Sequence, residues 1–222
     1  MQRNQARHGS GLDTIVPYCY NCIMPAETLR IRQGNLARNA IFEALVRHLE
    51  AGDADDVSME ELATEAGVSR RTLYRYFPNR SDLLTAAGDW IRDEVLKLPI
   101  EIGAEGIAAN FRTAASRLQK HPRIARALLR TQAGRAVRSG YRDERMKAIR
   151  SAVRREVPGL SRREEQRAAA LLGYLCSSSA WITIQDESGL DASSAQAVVV
   201  WAIDTVLTRL RSGDQTILEG VK

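Results

Sequence analysis

The tightest constraint on this chain lies between Ser58 and Pro78, where start and stop signals leave room for only two short helices. Ser58-Met59-Glu60-Glu61 places a hydroxyl three residues ahead of a carboxylate, the capping box that opens a helix. Gly67 supplies the left-handed residue that closes it. Ser69 caps a second helix from Arg70 to Phe77, and Pro78 stops that one. Leu62, Ala66, Val68, Leu73 and Phe77 supply the apolar contacts between the two, while the small Ala63 and Ala66 let them cross closely. Two short helices locked at a steep angle by a Gly turn make a helix-turn-helix.

What the second helix leaves exposed is a set of hydrogen-bond donors: Arg70, Arg71, Thr72, Tyr74, Arg75 and Tyr76. Four Arg and no acid fall between Ser69 and Arg80, whereas an ordinary solvated face mixes Glu with Lys. A helix of this size fits the DNA major groove, where Arg suits guanine O6 and N7. The helix starts at Ser58 and Ser69 would aim backbone amides at phosphates.

The rest of the chain reads as helix. From about Gly34, Ala37, Ile41, Ala44, Leu45, His48 and Leu49 form one apolar face. Gly52 and the acidic Asp53–Asp56 run end it. Asn79 caps a further helix, with Asp82 three residues on, which continues past Trp90 and Ile91 towards Leu98-Pro99. Helices are expected near 101–120, 122–134, 140–156, 162–186 and 193–211, the fourth of these opened by the capping box Ser161-Arg162-Arg163-Glu164. Aromatics are only 5% of the chain and runs of Val, Ile or Thr are few, which favours helix over sheet. The expected fold is therefore all-α, in four parts. Residues 1–29 are a flexible arm, 30–98 a three-helix helix-turn-helix domain, 99–212 a helical ligand-binding and dimerisation domain, and 213–222 a frayed tail.

The order Ala66-Gly67-Val68-Ser69, then Thr72-Leu73-Tyr74, an aromatic, Phe77, a short loop with a basic residue, and Leu83-Leu84 resembles the TetR family signature over about 45 residues. The resemblance implies a transcriptional regulator, a repressor that binds a palindromic operator as a homodimer and leaves it when a small-molecule effector binds. The expected location, the cytoplasm, follows from the lack of a membrane span or signal sequence. On that pattern Thr72, Tyr74 and Tyr76 contact phosphates, Arg80 stands where the family usually carries Lys, and Arg70 and Arg71 face base edges. Arg71 replaces a residue that is often small and Tyr76 one that is often His, so the operator sequence cannot be inherited. Met24-Pro25 resembles the usual start of such proteins. Residues 1–23 are accordingly read as a product of an early start codon, the alternative being an arm whose Arg3 and Arg7 reach a minor groove.

In TetR-like proteins the last two long helices pair with their twofold mates. Here those helices carry apolar stripes, Ala168, Leu171, Leu172, Leu175, Ser179 and Ile182 on one and Ala195, Val198, Val199, Ala202, Val206 and Leu210 on the other. The Ser177–Ala180 run would allow close backbone approach between subunits. An effector pocket is expected between the middle helices and 162–186, its candidates being Phe111, Leu118, Leu128, Tyr141, Met146, Tyr174, Trp181 and Ile182. The segments from His121 to Leu128 and from Ser179 to Ile182 are loosely similar to sterol-catabolism repressors, a resemblance that implies an acyl-CoA ligand.

Charge adds a puzzle. Residues 30–98 carry ten Lys/Arg against twelve Asp/Glu, while residues 112–155 carry fourteen against two. The basic excess thus lies outside the segment assigned to DNA, and phosphates of a ligand or of flanking DNA, or simply a solvated face, would each account for it.

Other classes of function find little support. His8, His48 and His121 are far apart, with no nucleophile elbow, phosphate loop or metal spacing, so no enzyme, cofactor or metal is expected. Cys19 and Cys22 form a C-x-x-C without a second ligand pair, and Cys176 stands alone. No run approaches the length of a membrane span. A DNA-binding protein whose C-terminal half recognises a protein partner is the remaining rival, and an enclosed pocket there would favour the small molecule.

Overall fold

The computed structural model describes residues 29–213. The expected arm, with Arg3, Arg7, Cys19 and Cys22, and the tail after Gly213 lie outside the described residues. Among the described residues the chain is all-α: eleven α-helices, one π-helical turn and no strand.

The first helix, α1 (Leu29–Ala51), starts a turn earlier than its apolar pattern suggests and turns Ile41, Leu45 and Leu49 inward. Two short helices follow, α2 (Met59–Glu65) and α3 (Arg70–Tyr76), joined through Gly67 at φ +66°. Both start where the side-chain caps dictate. Ser58 Oγ accepts from Glu61 N while Glu61 Oε2 accepts from Ser58 N, and Ser69 Oγ accepts from Thr72 N. Helix α4 (Arg80–Trp90) is capped by Asn79 and runs into the π-turn Ile91–Val95. The chain then breaks at Lys97, the one described non-glycine residue with positive φ.

The C-terminal half holds α5 (Gly106–Leu118), α6 (Pro122–Arg130), α7 (Gln132–Gly140), α8 (Arg142–Glu156), α9 (Arg162–Leu175), α10 (Ser178–Ser188) and α11 (Ala192–Arg211). Two expected helices are each split in two. The helix placed at 122–134 breaks at Thr131, whose extended backbone lets its hydroxyl cap Gly134 N. Gly134 is needed there, because a Cβ would stand 2.1 Å from Ala127 O. The helix placed at 162–186 breaks at Cys176-Ser177, where Ser177 turns extended and caps Ala180 N.

One buried apolar cluster runs from Ile41 to Leu210 through both halves. The halves meet most closely where α4 lies against α7. A Cβ on Gly88 would stand 2.3 Å from Val137 O, and one on Gly140 2.9 Å from Thr85 O, so the two backbones touch. No helix among the described residues is long and apolar enough to cross a membrane.

Candidate nucleic-acid interface and adjoining cavity

Helix α3 buries Leu73 and turns its polar residues outward. Arg70, Arg71 and Arg75 are exposed, and Thr72, Tyr74 and Tyr76 are half-buried at its flanks. Glu60 of α2 steadies this face in the free protein: its Oε1 lies 3.0 Å from Arg70 Nε and accepts from Tyr74 Oη at 3.3 Å. The Arg70 guanidinium also lies over the Tyr74 ring, and that of Arg75 over Tyr76, at 5.6 and 5.0 Å. An exposed ion pair such as Arg70–Glu60 is worth little, so Arg70 can exchange it for a base or phosphate. Thr72 Oγ1 shares a 2.9 Å hydrogen bond with Ser69 Oγ. Ser58 is engaged wholly in its capping box, with the Glu61 carboxylate lying over the amide end of α2. The Ser58 amide and hydroxyl hold that carboxyl below its ordinary pKa.

Arg80 turns away from this face. Nη1 donates to Val57 O at 2.5 Å and Nη2 to Ala54 O, bracketing the loop between α1 and α2. That loop presents Asp55 to the C-terminal half, where Oδ1 accepts from Ala133 N at 2.6 Å and Oδ2 from Gln132 N at 2.8 Å. With Thr131 on Gly134 N, the first three amides of α7 are all satisfied. The Ala133 and Gln132 amides hold the Asp55 carboxyl below its ordinary pKa.

Beyond α7 lies a cavity of about 630 Å³, within the range of small-molecule sites. Of the expected ligand residues, Leu118, Leu128, Tyr141, Met146 and Tyr174 line it. Phe111 is packed into the core instead. Trp181 and Ile182 border a separate hollow of about 370 Å³, and Trp181 Nε1 donates to Ala192 O at 3.0 Å. The cavity wall carries Arg135, Arg138, Arg142 and Arg145 from α7 and α8, together with Arg92 of the π-turn. Arg92 is the one buried charged residue described. It is bound by Asp93, Asp89 and Glu144, with oxygens 2.8–2.9 Å away. The Asp93 hydrogen bond is the main reason its pKa is raised.

Comparison with known proteins bears on the first of these sites. The family of bacterial regulatory proteins, tetR family, matches residues 41–87, from the middle of α1 to α4. Residues 41–87 are a TetR-type helix-turn-helix domain. Two uncharacterized HTH-type transcriptional regulators, from two strains of Mycobacterium tuberculosis, are each 39% identical to the chain over 74 residues. The match covers 33% of this chain and 35% of theirs, so the chain spans about a third of the length of the curated relatives it matches.

Within the TetR-type domain, sequence reasoning found the exposed donors of α3 but missed Asp55, whose acidic run reads as a mere helix end. It also missed that Arg80 faces that loop. Outside the domain it registered the basic excess without its pattern. Arg135 and Arg138, and again Arg142 and Arg145, stand three residues apart, which was the available signal that each pair shares one side of its helix. Among the described residues no group of three or more His, Cys, Asp or Glu is placed to hold a metal.

Proposed function

We propose that the protein is a cytoplasmic, ligand-responsive repressor. Its TetR-type domain reads a palindromic operator as part of a homodimer, and a small molecule in the C-terminal cavity lowers its affinity for DNA. The observation that carries the reading is the exposed cationic face of α3, Arg70, Arg71 and Arg75, on a domain that matches the TetR family. Arg70 and Arg71 read bases, and Thr72, Tyr74 and Tyr76 hold phosphates. Arg80 and Ser58 serve chiefly to shape the domain, and Ser69 fixes the start of α3.

A homodimer is supported by the exposed face of α11, where Val198 and Trp201 stand three residues apart, 44% and 69% exposed. Large apolar side chains left in water on one side of a bundle mark an interaction surface. Two recognition helices are needed to meet two half-sites about one helical turn apart, or a multiple of it. The cavity supports an effector that is apolar and anionic, a description that acyl-CoAs satisfy. Release is a population shift towards a dimer whose recognition helices are wrongly spaced.

Binding of the protein to its own promoter region tests the assignment. Arg70→Ala should cost about 1–3 kcal/mol and relax base preference at one position, whereas Thr72→Ala should weaken binding to all sequences about equally. If neither substitution changes binding, α3 is not the recognition helix.

A further inference from the structure

The five arginines around the large cavity differ in what they touch and in how far they are buried: Arg135, which bonds to the Leu129 and Arg130 carbonyls, and Arg142 are exposed to water. Arg92 is surrounded by three carboxylates. Elsewhere in the basic half Arg154 pairs with Glu165, Arg112 with Asp204, and Arg126 and Arg130 with Asp186. Arg138 and Arg145, both half-buried on the cavity wall, have only neutral acceptors. Arg138 Nη1 donates to Ser179 Oγ at 2.7 Å and Arg145 Nη1 to Gly173 O at 3.1 Å. These acceptors flank the break between α9 and α10, so both guanidinium groups lie at the same end of the cavity.

Nothing nearby supplies a countercharge. Glu144, the one carboxylate among the described lining residues, is held by Arg92 at 2.9 Å. Burial pushes the Tyr141 hydroxyl up, and the Cys176 thiol up to about 12, so both stay neutral. Burial is also the main influence on Arg138 and Arg145, pulling both below the ordinary guanidinium range, which is the cost of holding cations out of water without an anion. Partly buried charges normally have partners. The same cavity also has an apolar lining, to which Leu118 of α5, Leu128 of α6 and Ile149 of α8 contribute.

We propose that the cavity takes an amphipathic anion, its carboxylate or phosphate head held between Arg138 and Arg145 and its apolar body lying along Leu118, Leu128 and Ile149. This rests on reading the cavity as the effector site. It also accounts for the split helix: the turn at Cys176-Ser177 brings Ser179 to Arg138 and leaves the Gly173 carbonyl to Arg145, a seat that an unbroken helix would not form.

Calorimetric titration of the full-length protein with four probes of one tail length tests it: dodecanoate, dodecyl phosphate, dodecanol and dodecylammonium. At least one of the two anions should bind about tenfold or more tighter than the alcohol and the ammonium, the scale of a charge-assisted contact. Which anion binds tighter identifies the head group. Arg138→Gln and Arg145→Gln should each bring the ratio of anion to alcohol affinity towards one, and the Lys variants should restore part of it. The proposal is overturned if alcohol and anions bind alike, if no probe binds, or if the Gln variants weaken alcohol and anion equally. A separate titration against promoter DNA tells the two readings apart. Arginine-dependent anion binding that leaves DNA affinity unchanged would uphold the anion site and defeat the effector role.

Discussion

His48 stands between two carboxylates at the junction of α1 and α2, with Nδ1 2.9 Å from Asp53 and Nε2 2.8 Å from Glu65. Sequence periodicity places it on an apolar helix face, and it is indeed mostly covered. Its partners come from the acidic loop and from α2, which periodicity cannot show. Two carboxylates can both accept only if both ring nitrogens carry protons, so the geometry calls for the imidazolium. Burial is the largest single influence and disfavours the charge. The hydrogen bonds to Asp53 and Glu65 outweigh it, and the pKa is raised above 6.5. A raised pKa adds stability that is fully present below the unfolded value and is lost as pH rises through the folded one. The melting temperature should therefore fall as the solution is taken from about pH 6 towards pH 8.5, across the range where His titrates. His48→Gln should flatten that part of the profile and leave the acid side, where Asp55 and the other carboxyls of lowered pKa titrate, largely as it was. Melting curves across this range decide it; an identical slope in the variant would remove the switch from His48.

At the scale of elements, helix starts were legible where a hydroxyl has an acid three residues on. Ser58 with Glu61 and Ser161 with Glu164 open α2 and α9 at the positions the sequence indicated. The starts of α7 and α10 lack that acid: Thr131 caps Gly134 and Ser177 caps Ala180. In each case a one-residue break barely disturbs the 3.6-residue period of the apolar residues around it, so pattern alone reads straight through. The exposed donors of α3 were legible for the opposite reason, since a cap, a turn glycine and a proline fix all its boundaries. The contact of α4 with α7 was invisible because it is made by absent side chains. Gly88 has a Val137 carbonyl where its Cβ would be. Gly88→Ala removes a helix-weakening residue, which by itself would stabilise α4 by under about 1 kcal/mol. Here the methyl meets backbone that cannot rotate away, and overpacking of about 1–3 kcal/mol should prevail. The expected result is a melting temperature lower by several degrees, at about 2–4 °C per kcal/mol for a chain of this size. A melting temperature at or above wild type would mean that the helices separate at no cost.

For the molecule as a whole, α7 is the element that borders the cavity and also touches the TetR-type domain. One side carries Arg135 and Arg138 to the cavity, and another lies against α4 of the TetR-type domain. Its amino end is held by Asp55, from a loop that Arg80 brackets at the start of α4. On the proposed function, a shift of α7 on anion binding would reach the TetR-type domain by two routes, helix packing through Gly88 and Gly140 and a hydrogen-bonded clasp through Asp55. Coupling between sites is a free energy carried by such shared elements, commonly worth about 5- to 150-fold in affinity. Asp55→Asn cuts the second route alone. The amide keeps one acceptor oxygen but turns an NH₂ towards the other backbone N–H, so one of the two bonds is lost. DNA affinity without ligand and dodecanoate affinity without DNA should both stay within about twofold of wild type, because neither surface contains Asp55. The factor by which dodecanoate weakens DNA binding should fall severalfold towards one without reaching it, the α4–α7 contact being intact. Titrating promoter DNA with and without saturating dodecanoate, in wild type and variant, measures both factors. An undiminished factor in Asp55→Asn would assign the coupling wholly to helix packing, and a factor of one would assign it wholly to the clasp.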